Sequence, residues 1–212
     1  MKKSKEQIVG WVFIILHLVG IAGFSIEATR ELFQFLTPFN LLISLGLLLW
    51  LHTNRNNQFI LLSLLVGLLG YLVEVVGVNT GQIFGNYTYG KTLGFQLWQT
   101  PLIIGVNWLM MIYYTSAIAK RITGVLALQI AIGAALMVLM DLLIEPVAIQ
   151  FDYWTWSGDV IPLQNYFGWF VTALLLHAIY SRIEHTSKNG AAPYLAFAQL
   201  IFFAVLNVLR TL

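Results

Sequence analysis

The stretch "LLSLLVGLLGYLVEVVGVNT", at positions 61–80, is apolar almost throughout, and Glu74 is its single charged residue. A helix needs about 20 mainly apolar residues to cross the hydrocarbon core of a membrane. This stretch therefore predicts a membrane-spanning helix that carries one carboxylate toward its end.

The composition of the whole chain agrees with that prediction. Of the 212 residues, 59% are hydrophobic and 9% are charged, with a mean hydropathy of +0.81, whereas soluble domains contain about 25% charged residues. The sequence therefore predicts an integral membrane protein. It contains no cysteine, which excludes disulfides, thiolate metal sites and cysteine nucleophiles. The net charge of +2 gives no indication of a nucleic-acid partner.

Seven stretches are long and apolar enough to cross a membrane. We predict an all-α, polytopic helical bundle that forms a single domain over residues 1–212. The first stretch follows Met1-Lys2-Lys3, as a signal peptide would, but it is long and further spans follow it, so we keep it as a helix. The predicted spans are 8–26, 35–52, 58–78, 97–119, 124–149, 166–183 and 193–209.

The basic residues predict an orientation, because cytoplasmic loops of membrane proteins carry an excess of Lys and Arg. With the N-terminus inside, eight basic residues fall on the cytoplasmic side and three on the other, which favours an N-in, C-out orientation. We expect a multi-pass protein of a prokaryotic cytoplasmic membrane. The inner set is Lys2, Lys3, Lys5, Arg55, Lys120, Arg121, Arg182 and Lys188; the outer set is Arg30, Lys91 and Arg210.

Three carboxylates gather toward the outer end of the predicted bundle. Glu74 lies near the outer end of the third span, and Asp141 and Glu145 lie in the outer half of the fifth. The i, i+4 spacing of Asp141 and Glu145 places both on one helix face. Pro146 removes one backbone hydrogen bond and predicts a bend there.

Two long loops, 79–96 and 151–166, lie on the same predicted side as these acids. Both loops are rich in aromatic residues, which commonly form an interfacial belt but whose ring faces also stabilise cations. Their density beside three acids favours a pocket in addition to a belt. The aromatic residues around the loops are Tyr87, Tyr89, Trp98, Tyr153, Trp154, Trp156, Tyr166 and Trp169.

A carboxylate inside the membrane costs at least roughly 2.5–3.5 kcal/mol on insertion scales. The three acids could satisfy loop hydrogen bonds or pair with Arg30 or Lys91. Three of them with no basic residue nearby inside the spans favour a functional cluster instead. Asn107, within the fourth span, could orient a carboxylate or water, or could bond across helices.

Other polar residues give weaker indications. His17 and His177 lie inside spans and are predicted to be hydrogen-bonded packing residues. The sequence contains no closely paired histidines of the membrane-desaturase type, and the loop glycines form no nucleotide-binding pattern. We predict neither a metal site nor a cofactor.

Five blocks in order resemble a known family. The strings "GYLVEVVGVNTGQIFGNYTYG", "TPLIIGVNWLMM", "MDLLIEPVAI", "YWTW" and "IPLQNYFGWF" span residues 70–170. Together they are similar to the membrane carotenoid hydratases, whose substrates are acyclic carotenoid ends such as those of γ-carotene, lycopene or bisanhydrobacterioruberin.

The resemblance implies addition of water to the terminal 1,2 double bond of a ψ end group, giving a tertiary 1-hydroxyl without a cofactor. Such hydration needs a proton donor, stabilisation of a tertiary cation, and a positioned water with a base. The resemblance makes Asp141 the favoured acid, with Glu145 orienting the water and Glu74 as a third member; the roles of Asp141 and Glu74 could be exchanged.

The same resemblance implies supporting roles for other residues. Asn107 and Asn165 would position the carboxylates or the water. Aromatic residues would stabilise the cation or hold the polyene, and the loop that follows Glu74 would cover the acids as a lid. These aromatic residues are Tyr87, Tyr89, Trp154, Trp156 and Trp169.

Three alternatives stay open from the sequence. A lycopene-type cyclase begins with the same protonation, and its cation is trapped by an internal alkene. A proton-coupled transporter also carries buried acids, although the chain shows no internal repeat. A non-catalytic carotenoid-binding protein is the third. A retinal pump is excluded because the last span has no lysine.

Overall fold

A computed structural model of the chain describes residues 4–182 and 189–211. These residues form an all-α bundle, as predicted. Lys2, Lys3 and Lys188, which contributed to the predicted orientation, and Ile183, the predicted end of the sixth span, lie outside the described residues. The helices are α1 (Lys5–Ser25), α2 (Glu27–Leu51), α3 (Asn57–Thr80), α4 (Ile103–Ile122), α5 (Leu126–Gln150), α6 (Leu163–Tyr180) and α7 (Ala192–Arg210).

Five helices, α1, α2, α3, α5 and α7, are long and apolar enough to cross a membrane, which indicates a multi-pass membrane protein. The central helix is α4, which contacts α2, α3, α5, α6 and α7. Its side chains Trp108, Met110 and Tyr114 are fully enclosed. Because neighbouring helices cover α4 on several sides, its packing depends less on contact with lipid than that of the outer helices.

Helices α1 and α7 pack closely and run in the same direction. Gly10 lies against the ring of Tyr194, and Gly20 lies against the ring of Phe202. Seven spans were predicted, and among the described helices five, without α4 and α6, are long and apolar enough to cross a membrane.

Most predicted helix boundaries lie within three residues of the observed ones, but two predictions are wrong. The second helix begins at Glu27 and not at residue 35. Its polar first turns remain helical because they bond the end of α1: the Thr29 hydroxyl donates to the Gly23 carbonyl, and the Arg30 Nε donates to the Phe24 carbonyl.

The fourth predicted span, 97–119, begins too early. Strands β2 (Gln96–Leu97) and β3 (Thr100–Pro101) form a hairpin there, and α4 starts at Ile103. Trp98 and Gln99 have φ values of 52° and 61°, which a tight two-residue hairpin turn requires and a helix excludes. The hydrophobic Leu97 and Trp98 had made this turn resemble a membrane span.

A second ribbon joins the two long loops. Strand β1 (Tyr87–Tyr89) pairs antiparallel with β4 (Trp154–Trp156), and a short 3₁₀ turn (Ser157–Asp159) follows. The ribbon therefore lies where α3 and α5 end and where α4 and α6 begin, which places it over one end of the bundle.

Candidate active site

The register of the ribbon brings four aromatic side chains together. Tyr87 is opposite Trp156, and Tyr89 is opposite Trp154. Because side chains alternate along a strand, these four share one face, which is directed at the bundle. Thr88 and Thr155 are exposed on the other face, with their hydroxyls 3.2 Å apart.

Glu74 lies beneath this ribbon and is 3% exposed. Its Oε2 accepts hydrogen bonds from the hydroxyls of Tyr87 (2.5 Å) and Tyr89 (2.8 Å), and its Oε1 accepts one from Trp108 Nε1 (3.0 Å). Both oxygens of this carboxyl group are therefore held in place by uncharged donors.

Glu145 accepts hydrogen bonds from the other strand of the ribbon, β4. Its Oε2 accepts hydrogen bonds from the indole nitrogens of Trp154 (2.9 Å) and Trp156 (2.7 Å). Its Oε1 accepts one from Asn165 Nδ2 at 3.1 Å. Each strand of the ribbon thus supplies two donors to one buried glutamate.

Asp141 has a different environment. It is fully buried, and its Oδ2 accepts one hydrogen bond, from Asn165 Nδ2 at 2.8 Å. Its Oδ1 is buried without a hydrogen-bond partner among the described residues. Asn165 therefore bridges Asp141 and Glu145, which lie one turn apart on α5.

The suggested pairing of the acids with basic residues does not occur in the part of the chain that the structure describes. Arg30 bonds the Phe24 carbonyl and lies 5.8 Å from the centre of the Phe151 ring. The backbone nitrogen of Lys91 bonds the Asp152 carboxylate. The donors to the three buried acids are tyrosine, tryptophan and asparagine side chains.

The two loop tyrosines stay protonated. Burial is the largest effect that raises the pKa of Tyr87 and of Tyr89, and the adjacent carboxyl group of Glu74 raises both further. A tyrosine whose pKa is raised keeps its hydroxyl proton at neutral and moderately alkaline pH. Both hydroxyls therefore act as hydrogen-bond donors to Glu74.

A cavity of about 30 Å³ lies between the acids and the aromatic rings. That volume has room for one or two water molecules, and polar groups line it. The indoles of Trp108 and Trp169 stack in its wall, with ring centres 4.5 Å apart. The lining residues that matter here are Glu74, Glu145, Asn107, Asn165, Trp154 and Trp156.

A second cavity, of about 320 Å³, adjoins the first and is mainly apolar. Ile104, Asn107 and Trp154 line both cavities, so the two meet at these side chains. Val19 of α1 and Phe39 of α2 line the large cavity and are also about half exposed on the outside of the bundle. The cavity therefore reaches the lateral surface between α1 and α2.

The predicted site residues are brought close together. Nine of the ten line the small cavity: Glu74, Tyr87, Tyr89, Asn107, Glu145, Trp154, Trp156, Asn165 and Trp169. Asp141 is behind them and reaches the group through Asn165. Asn107 lines the cavity, but its amide donates to Met111 Sδ at 3.6 Å and bonds none of the acids in the described structure.

Sequence reasoning missed Trp108, which donates to Glu74. A tryptophan in the middle of a span, far from the usual interfacial position, was the available signal. His177 bonds the Ala173 carbonyl and the Thr115 hydroxyl, as a packing residue would. Among residues 4–182 and 189–211, no three His, Asp or Glu side chains form a group that could hold a metal ion.

These features define a class: a multi-pass helical membrane protein whose buried carboxyl groups lie beneath an aromatic ribbon and beside an apolar cavity. The chain belongs to the carotenoid biosynthesis protein family, whose model matches residues 9–212. This match confirms that the resemblance seen in the sequence is to carotenoid biosynthesis proteins.

One curated relative is the bisanhydrobacterioruberin hydratase of Haloarcula japonica. The two sequences are 28% identical over 118 residues, which cover 50% of this chain and 39% of the relative. The chain therefore matches well under half of the length of that hydratase. No solved structure matches the chain.

Proposed function

We propose that this protein adds water to the terminal 1,2 double bond of an acyclic carotenoid end group, forming a tertiary 1-hydroxyl. One observation carries the proposal: a water-sized cavity lined by Glu74 and Glu145 shares three lining residues with a larger, mainly apolar cavity. The similarity to a bisanhydrobacterioruberin hydratase supports the same chemistry.

The reaction needs one proton donor and one proton acceptor. A carboxylic acid donates its proton to C2 of the isopropylidene end, and the double-bond electrons form the new C–H bond. The cation at C1 is then attacked by water, and a carboxylate accepts the proton that this water releases. The proton gained by this carboxylate then returns to the acid through water of the small cavity, so the protein regains its starting state. Water is added without a net change in proton number, and no electron leaves the substrate.

We assign the acid to the Asp141–Glu145 pair. Asn165 joins the two carboxyl groups, and the unpartnered Asp141 Oδ1 fits a group that carries a proton, because an unpaired buried charge is costly. Glu145 lines the small cavity and delivers the proton to the substrate. The proposed proton donor to the substrate is therefore Glu145, whereas the sequence analysis favoured Asp141.

We assign the base to Glu74. Three hydrogen bonds from Tyr87, Tyr89 and Trp108 fix its two oxygens at the wall of the small cavity. Donors of this kind stabilise a carboxylate and fix its orientation. Glu145 also accepts three hydrogen bonds, so the two roles are separated by Asp141, which shares Asn165 with Glu145 and can hold a proton for it. A water in the cavity would lie between this carboxylate and the end of a chain in the apolar cavity.

The aromatic rings around the cavity complete the proposed site. Trp154, Trp156 and Trp169 line it, and tryptophan faces attract cations within about 6 Å of the ring centre. These rings would stabilise the tertiary cation until water attacks. The substrate's remaining polyene would continue through the opening between α1 and α2 into the lipid.

The proposal includes the predicted orientation, N-in and C-out, which puts the site near the outer surface of a prokaryotic cytoplasmic membrane. A carotenoid dissolved in the bilayer could then present one end to the site while water reaches it from outside. Neither a nucleic acid nor a cofactor takes part in the proposed reaction.

Expression in cells that produce lycopene or γ-carotene, followed by mass analysis of the pigments, tests the proposal. A pigment heavier by one water, with its hydroxyl at C1, is the expected product. Glu145→Gln should abolish it, whereas Glu31→Gln, a matched change at an exposed residue of α2, should not. An isomeric cyclic product would establish the cyclase instead, and unchanged pigments with protein in the membrane would contradict the enzyme assignment.

A further inference from the structure

The large cavity contains polar groups that the proposed reaction does not use. His17 of α1, Asn40 of α2 and Gln199 of α7 line it, and His17 and Gln199 are only 5% and 6% exposed. In residues 4–182 and 189–211, the amides of Asn40 and Gln199 make no hydrogen bond. Polar side chains of membrane helices usually form hydrogen bonds with neighbouring helices. Because these two amides form none, they are available to a ligand.

The hydrogen bond of His17 determines which ring nitrogen faces the cavity as an acceptor. Its Nδ1 bonds the Phe13 carbonyl at 2.8 Å. A carbonyl can only accept, so Nδ1 carries the proton and Nε2 of the neutral ring is an acceptor. Gln199 offers amide N–H donors beside it. A hydroxyl group, which donates and accepts, matches this pair.

His17 and Gln199 lie at one depth in the bundle. The His17 ring contacts the Phe202 ring edge-on, with ring centres 5.8 Å apart. Phe202 follows Gln199 by three residues on α7, so the two side chains share one face of that helix. The histidine and the glutamine therefore face the same part of the cavity.

This part of the cavity is far enough from the acids to be a separate subsite. Asn207 of α7 donates to the Leu143 carbonyl at 2.7 Å, and Leu143 lies between Asp141 and Glu145 on α5. Gln199 precedes Asn207 by eight residues, which corresponds to about 12 Å of helix. A ligand could therefore reach the acids and Gln199 at once only through an extended chain.

We propose that His17 and Gln199, assisted by Asn40, form a hydroxyl-binding subsite within the apolar cavity. It would select isoprenoid chains that carry a hydroxyl group about 12 Å from the reacting isopropylidene end. The inference rests on the proposed function, because it assumes that this end lies beside Glu145. It goes further in assigning the cavity a preference for oxygenated chains over pure hydrocarbons.

Farnesol is a suitable probe, because it combines an isopropylidene end with a hydroxyl three isoprene units away. Binding of radiolabelled farnesol and of the hydrocarbon β-farnesene would be measured on the full chain in lipid nanodiscs. The ratio of the two affinities cancels their shared apolar contacts. Geraniol, whose hydroxyl is too near its isopropylidene end, serves as the length control.

Two variants test the subsite. Gln199→Leu and His17→Phe should each lower the preference for farnesol over β-farnesene by roughly three- to ten-fold, which corresponds to one hydrogen bond. Geraniol binding should not change. Asn207→Leu, an amide replacement on the same helix outside the cavity lining, should leave the ratio as it is in the wild type.

An equal ratio in the wild type and in both subsite variants would overturn the inference. So would an equal loss in Asn207→Leu, since that would show a general packing effect. Binding is measured without turnover, so the two proposals can fail separately. A wild type that prefers farnesol but hydrates no carotenoid would contradict the proposed function and support the subsite.

Discussion

Both ends of the bundle bury aromatic and amide side chains in hydrogen-bonded groups, but the two groups differ in composition. At the end opposite the ribbon, the Tyr113 hydroxyl bonds His52 Nδ1 and Asn189 Nδ2, each at 2.9 Å. Asn189 also donates to the Leu48 carbonyl. No carboxylate shares these hydrogen bonds in the described residues.

At the ribbon end, the acceptors are carboxylates. Glu74 and Glu145 together receive six hydrogen bonds from side chains, and the cavity between them meets a larger apolar one. The comparison teaches that a buried polar network is not in itself a site. Buried carboxyl groups beside an apolar cavity distinguish the ribbon end.

The largest effect that separates the two ends should come from the pocket-facing acid. Glu145→Gln preserves size but removes the proton that the proposed reaction transfers. We expect turnover to fall by roughly 10²–10⁴-fold, the usual contribution of a general acid, with little change in folded protein. Product formation per folded molecule measures it, and turnover within tenfold of the wild type would remove Glu145 from the mechanism.

A somewhat smaller loss should follow from breaking the bridge between the two acids of α5. Asn165→Ala deprives Asp141 and Glu145 of their shared donor. A hydrogen bond to a charged group is worth about 1.5–3 kcal/mol, so turnover should fall roughly 10- to 150-fold. Unchanged turnover, measured by the same pigment analysis, would show that the bridge has no part in positioning the acids.

At the opposite end, the corresponding change should affect stability and not turnover. Asn189→Ala leaves the Leu48 carbonyl and the Tyr113 hydroxyl without their amide partner. We expect the free energy of unfolding to fall by about 1–3 kcal/mol, measured by thermal unfolding in detergent. A large loss of turnover in folded Asn189→Ala protein would contradict the proposal that only the ribbon end takes part in the reaction.

The smallest expected effect comes from a pair of matched tyrosine variants, one at each end of the bundle. Tyr87→Phe and Tyr113→Phe each remove one buried hydroxyl, from opposite ends of the bundle. Tyr87→Phe should lower turnover by only roughly two- to twelve-fold, because Glu74 keeps the donors Tyr89 and Trp108. Tyr113→Phe should leave turnover per folded molecule unchanged, and equal effects of the two variants would argue against a specific role of the ribbon.

Hydropathy alone predicted the helices well where apolar runs are uninterrupted, as in α3 and α5. It failed at Gln96–Pro101, because hydropathy cannot detect the positive φ angles of Trp98 and Gln99. It also missed the first turns of α2. Their polar side chains donate hydrogen bonds to carbonyl groups at the end of α1. Both errors arise from local geometry that composition does not encode.

The site was predictable as a group of residues but not as an arrangement. Position within an apolar span and i, i+4 spacing indicated Asp141 and Glu145. The density of aromatic residues indicated a pocket at the loops, and family resemblance suggested their roles. The pairing of Tyr87 with Trp156 joins residues far apart in the chain, and no local pattern specifies it. The unequal hydrogen bonding of Asp141 and Glu74 likewise depends on tertiary contacts.

The most direct test of the account is turnover of lycopene or γ-carotene by the purified protein in isotopically labelled water. The account predicts that the wild type places solvent deuterium at C2 and solvent ¹⁸O in the new hydroxyl at C1, and that Glu145→Gln places neither. A cyclic product without solvent oxygen, or full labelling by Glu145→Gln, would contradict it.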